Sequence, residues 1–468
     1  MKAPNFNLGN PDRLARKLVV ATLGSLWVRL AGMFVSLLVG VQMARYLGPA
    51  EYGSYGTMMA VVTMLMVPAQ FGMPQLATRD ISIFVTKGAM DDAKGAMIWF
   101  TAAVFGISGV FALAGIAGCL IWAAEAKESL ALTCYWGLAS IPLLTLGNLG
   151  VAMMRGFHRV VAAQIFDALV RPAIIAVLLF VALAAFGRLD ASGAMAVQMI
   201  AAAATLGLCA WSLWRLTPRE LKRAKTVARW RAWAASAVPM TGTELLRALD
   251  GQYAVLIFGA LASLHDVGIF RLALTVSGLI GLPSTLVNLV VMPYVAQLYA
   301  SSDTKRLQLI ASGSAFAMFA STLIVTIALV LVGKPVIALV FGNTFRDSWL
   351  PLVVISVAYT IHGFFGSGTV ILNMTGHERA VTRAHAAGLA VGIGLTLALY
   401  GLCGTSAAAI AMVASEIVKG GILWNVARNK LSLDSAAISA IRRPDGTGSP
   451  QEALILNFRH FLQIGGRR

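Results

Sequence analysis

The chain has 468 residues, 58% of them hydrophobic and 12% charged, with a formal net charge of +17. Average soluble domains carry about 25% charged residues, so this composition excludes an ordinary soluble domain and indicates a membrane protein. The basic surplus is spread over many short loops at the ends of apolar runs, which fits membrane topology and argues against nucleic acid as a partner.

A helix needs about 20 apolar residues to cross a bilayer core. Runs of that kind lie at 18–43, 54–76, 97–121, 130–153, 162–186, 191–213, 234–260, 267–298, 309–332, 347–373, 380–402 and 404–427. The first follows a basic stretch (Arg13, Arg16, Lys17) and is too long for the apolar part of a cleaved signal, so it reads as a retained anchor. The eighth is long and is expected to continue as a cytoplasmic helical extension. With the N-terminus in the cytoplasm, most of the 37 Lys and Arg residues fall on the inside. The expected fold is an all-α integral membrane protein of about 12 transmembrane helices, with both termini cytoplasmic.

External loops are short, and no GxxxxGK[ST], HExxH or GxSxG motif occurs, so an enzyme is not expected. The four cysteines (Cys119, Cys134, Cys209, Cys403) lack CxxC spacing and support neither a zinc site nor a disulfide framework. No metal or cofactor is implied.

A shift of 215 residues aligns Glu51 with Asp266, Gly53 with Gly268 and Pro68 with Pro283. A shift of 220 aligns 155–159 (RGFHR) with 375–379 (TGHER), each after the fourth span of its half. These matches predict two six-helix halves, and parallel repeats of this kind hold substrate near the midplane between them. The expected organisation is an N-lobe at 1–213, a basic cytoplasmic interlobe linker at 214–233, a C-lobe at 234–430 and a cytoplasmic tail at 431–468. Residues 453–462 of the tail read as an amphipathic helix on the membrane surface.

Ionisable residues inside the spans are costly and mark candidate sites. Arg29 is the only charge in the first run, and about 16 Å of helix separates it from the inner end at 1.5 Å per residue. It has no acid within four residues, and neither does Arg271. The others have helical neighbours on the same face: Asp167 can reach Arg171, Arg247 can reach Glu244 or Asp250, and Glu416 can reach Lys419. Such pairs serve structure as readily as function, and Arg271 can also snorkel to the interface. A planar guanidinium favours phosphate, so cations in several spans point to an anionic substrate. His362 reads as a structural histidine, and Asn148, Gln198 and Asn288 as interhelical polar contacts. Pro68, Pro142, Pro172 and Pro283 are expected to bend or break their helices.

Residues 44–53 (ARYLGPAEYG) resemble the signature after the first helix of polysaccharide flippases. Residues 74–82 (PQLATRDIS), 155–162 (RGFHRVVA), 245–256 (LLRALDGQYAVL), 265–272 (HDVGIFRL), 340–345 (VFGNTF) and 372–379 (LNMTGHER) add to the likeness. The chain resembles the Wzx-type O-antigen and exopolysaccharide translocases of the multidrug/oligosaccharidyl-lipid/polysaccharide (MOP) superfamily over residues 15–428. The resemblance implies a flippase for oligosaccharide linked to undecaprenyl pyrophosphate, in the bacterial inner membrane. It also implies two six-helix lobes, alternating access driven by a coupling ion (H+ or Na+) or by consumption of the product, contact with membrane lipids and a polysaccharide polymerase as partner. On that reading Arg29 holds the pyrophosphate, aided by Arg271, Arg247, Arg171 and Lys419. Glu244 and Asp250 then set the charge of Arg247 or bind the coupling ion. The alternative is a cation-coupled multidrug exporter of the same superfamily.

Overall fold

The structure, a computed structural model, describes residues 11–123, 128–227 and 230–440, and every regular element among them is helical. The tail helix expected at 453–462 lies outside the described residues. The first helices are α1 (Pro11–Gln70), α2 (Met73–Lys87), α3 (Met90–Ala123), α4 (Glu128–Gly156) and α5 (Val160–Ile165), followed by a π-helical turn at Phe166–Val170. Then come α6 (Arg171–Phe186), α7 (Ala191–Leu216), α8 (Arg219–Arg223), α9 (Trp230–Leu261), α10 (Leu264–Ile280) and α11 (Leu282–Ala300). The chain continues with α12 (Thr304–Phe341), a 3-10 turn at Asn343–Ser348, α13 (Trp349–Phe365), α14 (Gly368–Met374), α15 (Glu378–Cys403) and α16 (Ser406–Leu431).

Nine of the described helices are long and apolar enough to cross a membrane, ten if the bent pair α10–α11 is one span. Large apolar side chains such as Phe34, Phe105, Leu113, Phe180 and Leu339 are exposed on them. In water such surface would be unstable; facing lipid it needs no protein partner.

Helix α1 takes in the first two expected spans, with a kink at Gly48 (φ 72, ψ 173). Pro49 disfavours helix at the preceding residue, and only glycine adopts this backbone shape without strain. The second expected span ran to residue 76; the structure corrects this, breaking the helix at Phe71 and Gly72, both with positive φ. The eighth expected run is likewise not continuous. It bends by 40° between α10 and α11, where Gly281 ends one helix and Pro283 opens the next. Pro142 lies inside the unbroken α4. Pro172 follows the π-helical turn. A proline cannot donate to the carbonyl four residues back, here that of Ala168. That carbonyl lies hard against Gly32 of α1, where a Cβ would overlap it.

The described chain forms two compact units. One contains the chain up to Tyr46 and Val61–Leu245; the other contains Leu47–Ala60 and the chain from Leu246. Both α1 and α9 therefore divide between units part-way along their length.

In the first unit, α2, α3, α4 and the start of α9 share a core that includes Leu76, Phe100, Met154 and Trp233. The rings of Trp99, Phe100 and Trp233 pack with centroids 5.3–5.7 Å apart. The basic linker is pinned to the start of α3: Lys94 Nζ donates to the Ala224 carbonyl (2.8 Å), and the Lys225 N–H donates to Asp91 Oδ1 (2.7 Å).

In the second unit, Leu47–Ala60 crosses α10 at two glycines. A Cβ on Gly53 would overlap the carbonyl of Leu264, and a Cβ on Gly268 would overlap that of Pro49. Small residues at such crossings let helix backbones approach closely in membranes. Tyr52 Oη lies 3.1 Å from Thr275 Oγ1, fixing the same crossing. After α16 the chain folds back. The Asp434 N–H donates to Gln308 Oε1 (2.8 Å), Gln308 Nε2 donates to the Asp434 carbonyl (2.7 Å), and Trp424 Nε1 donates to Asp434 Oδ1 (2.8 Å).

Candidate functional site

Helices α9, α10, α11, α13 and α16 of the second unit line an open cavity of about 550 Å³. Four side chains of its wall, Lys419, Glu416, Asp250 and His362, form one chain of contacts, which extends beyond the lining to His385 of α15. Lys419 Nζ, on α16, lies 2.7 Å from Glu416 Oε1 on its own helix and 3.1 Å from Asp250 Oδ2 on α9. Glu416 Oε2 is in turn 3.3 Å from His362 Nδ1 of α13, and Asp250 Oδ2 is 3.4 Å from His385 Nδ1 of α15. Lys419 is 8% exposed. A charge so deeply buried is tolerated only with close partners, and two carboxylates supply them.

Glycines make room for this wall. A Cβ on Gly388 of α15 would overlap Cγ of Lys419, so the lysine stem lies directly on the α15 backbone. A Cβ on Gly56 would come within 2.9 Å of Arg271 Cγ, and one on Gly392 within 2.7 Å of Tyr253 Oη. The Arg271 stem therefore lies against the Leu47–Ala60 helix, and the residue lines the cavity. Among the described residues it has no ion-pair partner.

Five buried side-chain atoms of residues that line the cavity have no hydrogen-bond partner among the described residues: Gln252 Oε1, Tyr253 Oη, Ser284 Oγ, Asn288 Oδ1 and Ser415 Oγ. Tyr253, Ser284 and Ser415 are only 4%, 5% and 2% exposed. Native structures rarely leave so many buried polar atoms unmatched, and clusters of them mark places where a polar occupant completes the bonding.

The structure brings together Asp250, Arg271 and Lys419 of the expected site residues. The Glu416–Lys419 pair forms as expected, but Asp250 turns to Lys419 and His385. His362, read from sequence as structural, lines the cavity beside Glu416. Arg171 and Asp167 border a small pocket of about 30 Å³ in the first unit, and Asp167 Oδ2 accepts from Arg155 Nη2 at 2.9 Å. Arg29 lies on α1 in the first unit, exposed, with no ion-pair partner among the described residues. Glu244 is half-buried in the first unit, and Arg247 is exposed in the second.

Sequence reasoning missed His385 as a partner of Asp250, and Tyr253 and Gln252 as cavity groups. The latter two sit in the segment 245–256, whose resemblance was already a signal. His385 carries no local signal, because its partner Asp250 is 135 residues away. Among the described residues, no group of three His, Cys, Asp or Glu side chains is placed to hold a metal ion, and the four cysteines are free.

A model of a family described as polysaccharide biosynthesis protein matches residues 17–299. A search of curated protein sequences finds no match. Among solved structures, an inward-facing multidrug resistance MATE family transporter of the MOP superfamily superposes with a TM-score of 0.73 at 14% identity, over 88% of this chain and 98% of its own. The lipid II flippase MurJ, in an inward closed conformation, superposes with a TM-score of 0.69 at 11% identity, over 95% of this chain and 93% of its own. The MATE transporter VcmN of Vibrio cholerae gives 0.56 at 16% identity, over 90% and 98%. At these identities the likeness is one of fold. The chain belongs to the polysaccharide biosynthesis protein family, as a multi-pass membrane protein with a MATE-like fold.

Proposed function

We propose that this protein flips oligosaccharide units linked to undecaprenyl pyrophosphate across the bacterial inner membrane by alternating access, without enzymatic chemistry. The observation that carries this reading is the charged, hydrogen-bonding cavity lined by helices of the second unit, with Arg271 in its wall lacking an ion-pair partner among the described residues. Such a cavity suits a polar headgroup whose lipid tail stays in the bilayer. Membership of a polysaccharide biosynthesis family and a fold shared with a protein named as a lipid II flippase support it.

Arg29 takes the pyrophosphate, because an unpaired guanidinium in a lipid-spanning helix gains most from a phosphate fork. Arg171 and Arg247 serve as auxiliary cations. A coupling ion, H+ or Na+, exchanges at Glu244 or at the Asp250 network. A polysaccharide polymerase consumes the flipped product. The rival, a cation-coupled drug exporter, needs carboxylates open to a cationic substrate, whereas Asp250 and Glu416 already hold Lys419.

The test is deletion of the gene and reconstitution of the protein. Loss of the protein should leave lipid-linked glycan on the cytoplasmic leaflet, and proteoliposomes should move it across. Resistance to cationic dyes on expression, with no glycan accumulation on deletion, would favour the exporter. If Arg29→Ala inserts, folds and flips at the wild-type rate, Arg29 does not hold the pyrophosphate.

A further inference from the structure

We infer that the cavity of the second unit is a sugar subsite whose preferred occupant is an acidic ring of the hexuronate class, with the ring carboxylate on Arg271. This deepens the proposed glycan transport and rests on it. Charge comes first. The two cations, Arg271 and Lys419, are matched by the two carboxylates, Asp250 and Glu416, and both carboxylates are already spent on Lys419. The four groups thus sum to zero, and Arg271 is the one charge among them with no ion pair among the described residues, free to turn to an occupant. A pyrophosphate group brought here would gain one cation and face two carboxylates. A single carboxylate fits the planar fork of an arginine and asks for no more.

Hydrogen bonding comes second. Each sugar hydroxyl is at once donor and acceptor, so a ring is satisfied by a wall that mixes the two. The unpartnered atoms supply that mixture: hydroxyls at Tyr253, Ser284 and Ser415, and amide oxygens at Gln252 and Asn288. They come from three helices, α9, α11 and α16, and each has under 1 Å² of accessible area, so a side-chain rotation toward the cavity brings it to an occupant. The volume, about 550 Å³, lies within the range of small-molecule pockets. Gly56 is the positioning residue: its missing Cβ is what lets the Arg271 stem lie flat.

The probes are free glucuronate, free glucose and inorganic pyrophosphate, titrated by calorimetry into the full-length protein in detergent. Glucuronate should bind more tightly than glucose. Arg271→Gln should weaken glucuronate about tenfold to a hundredfold, the scale of one charge-assisted hydrogen-bonded contact, and leave glucose little changed. Arg271→Lys should keep part of the preference, and Gly56→Ala should lower it without removing the charge. Asn288→Ala with Ser284→Ala should weaken both sugars alike. Equal binding of the two sugars, binding of neither by folded protein, or pyrophosphate displacing glucuronate would each overturn the subsite. Flipping is scored separately, by lipid-linked glycan accumulation in the deletion strain. A protein that restores flipping but shows no glucuronate preference refutes the subsite and leaves the flippase standing. One that binds glucuronate but restores nothing refutes the flippase.

Discussion

Gly53 and Gly268 each sit one turn beyond the carbonyl that the other would strike: Leu264 precedes Gly268, and Pro49 precedes Gly53. The crossing of Leu47–Ala60 with α10 is thus reciprocal. Gly53→Ala and Gly268→Ala should each destabilise the protein by about 1–3 kcal/mol, the usual cost of overpacking. The double variant should cost less than the sum, because the first methyl already forces the helices apart. Thermal unfolding in detergent measures all three, and strict additivity would mean the two glycines act on separate contacts.

The Lys419 network separates removal of one charge from removal of all three. Lys419→Met leaves Asp250 and Glu416 buried without their cation and should cost about 3–5 kcal/mol. Combining it with Asp250→Asn and Glu416→Gln should recover most of that loss, since no uncompensated charge remains. Denaturation of the purified variants checks this. A triple variant no more stable than Lys419→Met shows that the charges are not what the single variant disturbs.

Gly48 is held by backbone shape rather than space: nothing lies within 4 Å of where its Cβ would be. Gly48→Ala should therefore cost about 1–3 kcal/mol purely through its φ of 72°. A melting temperature equal to wild type would show that the kink can move.

The linker contact at Asp91 is open to proteolysis. Asp91→Ala removes the acceptor for the Lys225 N–H, so trypsin should cut within 215–231 several-fold faster while global stability holds. An unchanged cleavage rate would mean that the contacts of Lys94 with Ala224 and of Val227 with the α3 backbone suffice to hold this segment.

Much of the fold was legible because apolar runs and loop charge are local properties. The break at Phe71–Gly72 and the bend at Gly281 were not, since both fall inside runs that stay apolar throughout. The repeat alignment picked out Gly53 and Gly268 as equivalents, but only coordinates show that they meet. The same limit applies to the site. Glu416 and Lys419 could be paired because helical spacing puts them on one face. Asp250 has an acceptable neighbour at that spacing in Arg247, and its ion pair with the distant Lys419 depends on how α9 packs against α16.

That packing also sets an order of biogenesis. Asp250 enters the membrane with α9, while Lys419 is encoded 169 residues later. At about 5–20 residues per second, synthesis leaves the carboxylate waiting roughly 10–30 s for its counter-ion. Until α16 arrives, α9 has to be sheltered by water or by the insertion machinery. A chain arrested before α16 should hold α9 loosely enough to be extracted from the bilayer, and one released after it should not. The ion pair that furnishes the cavity thus forms only after α16 has joined α9 in the second unit.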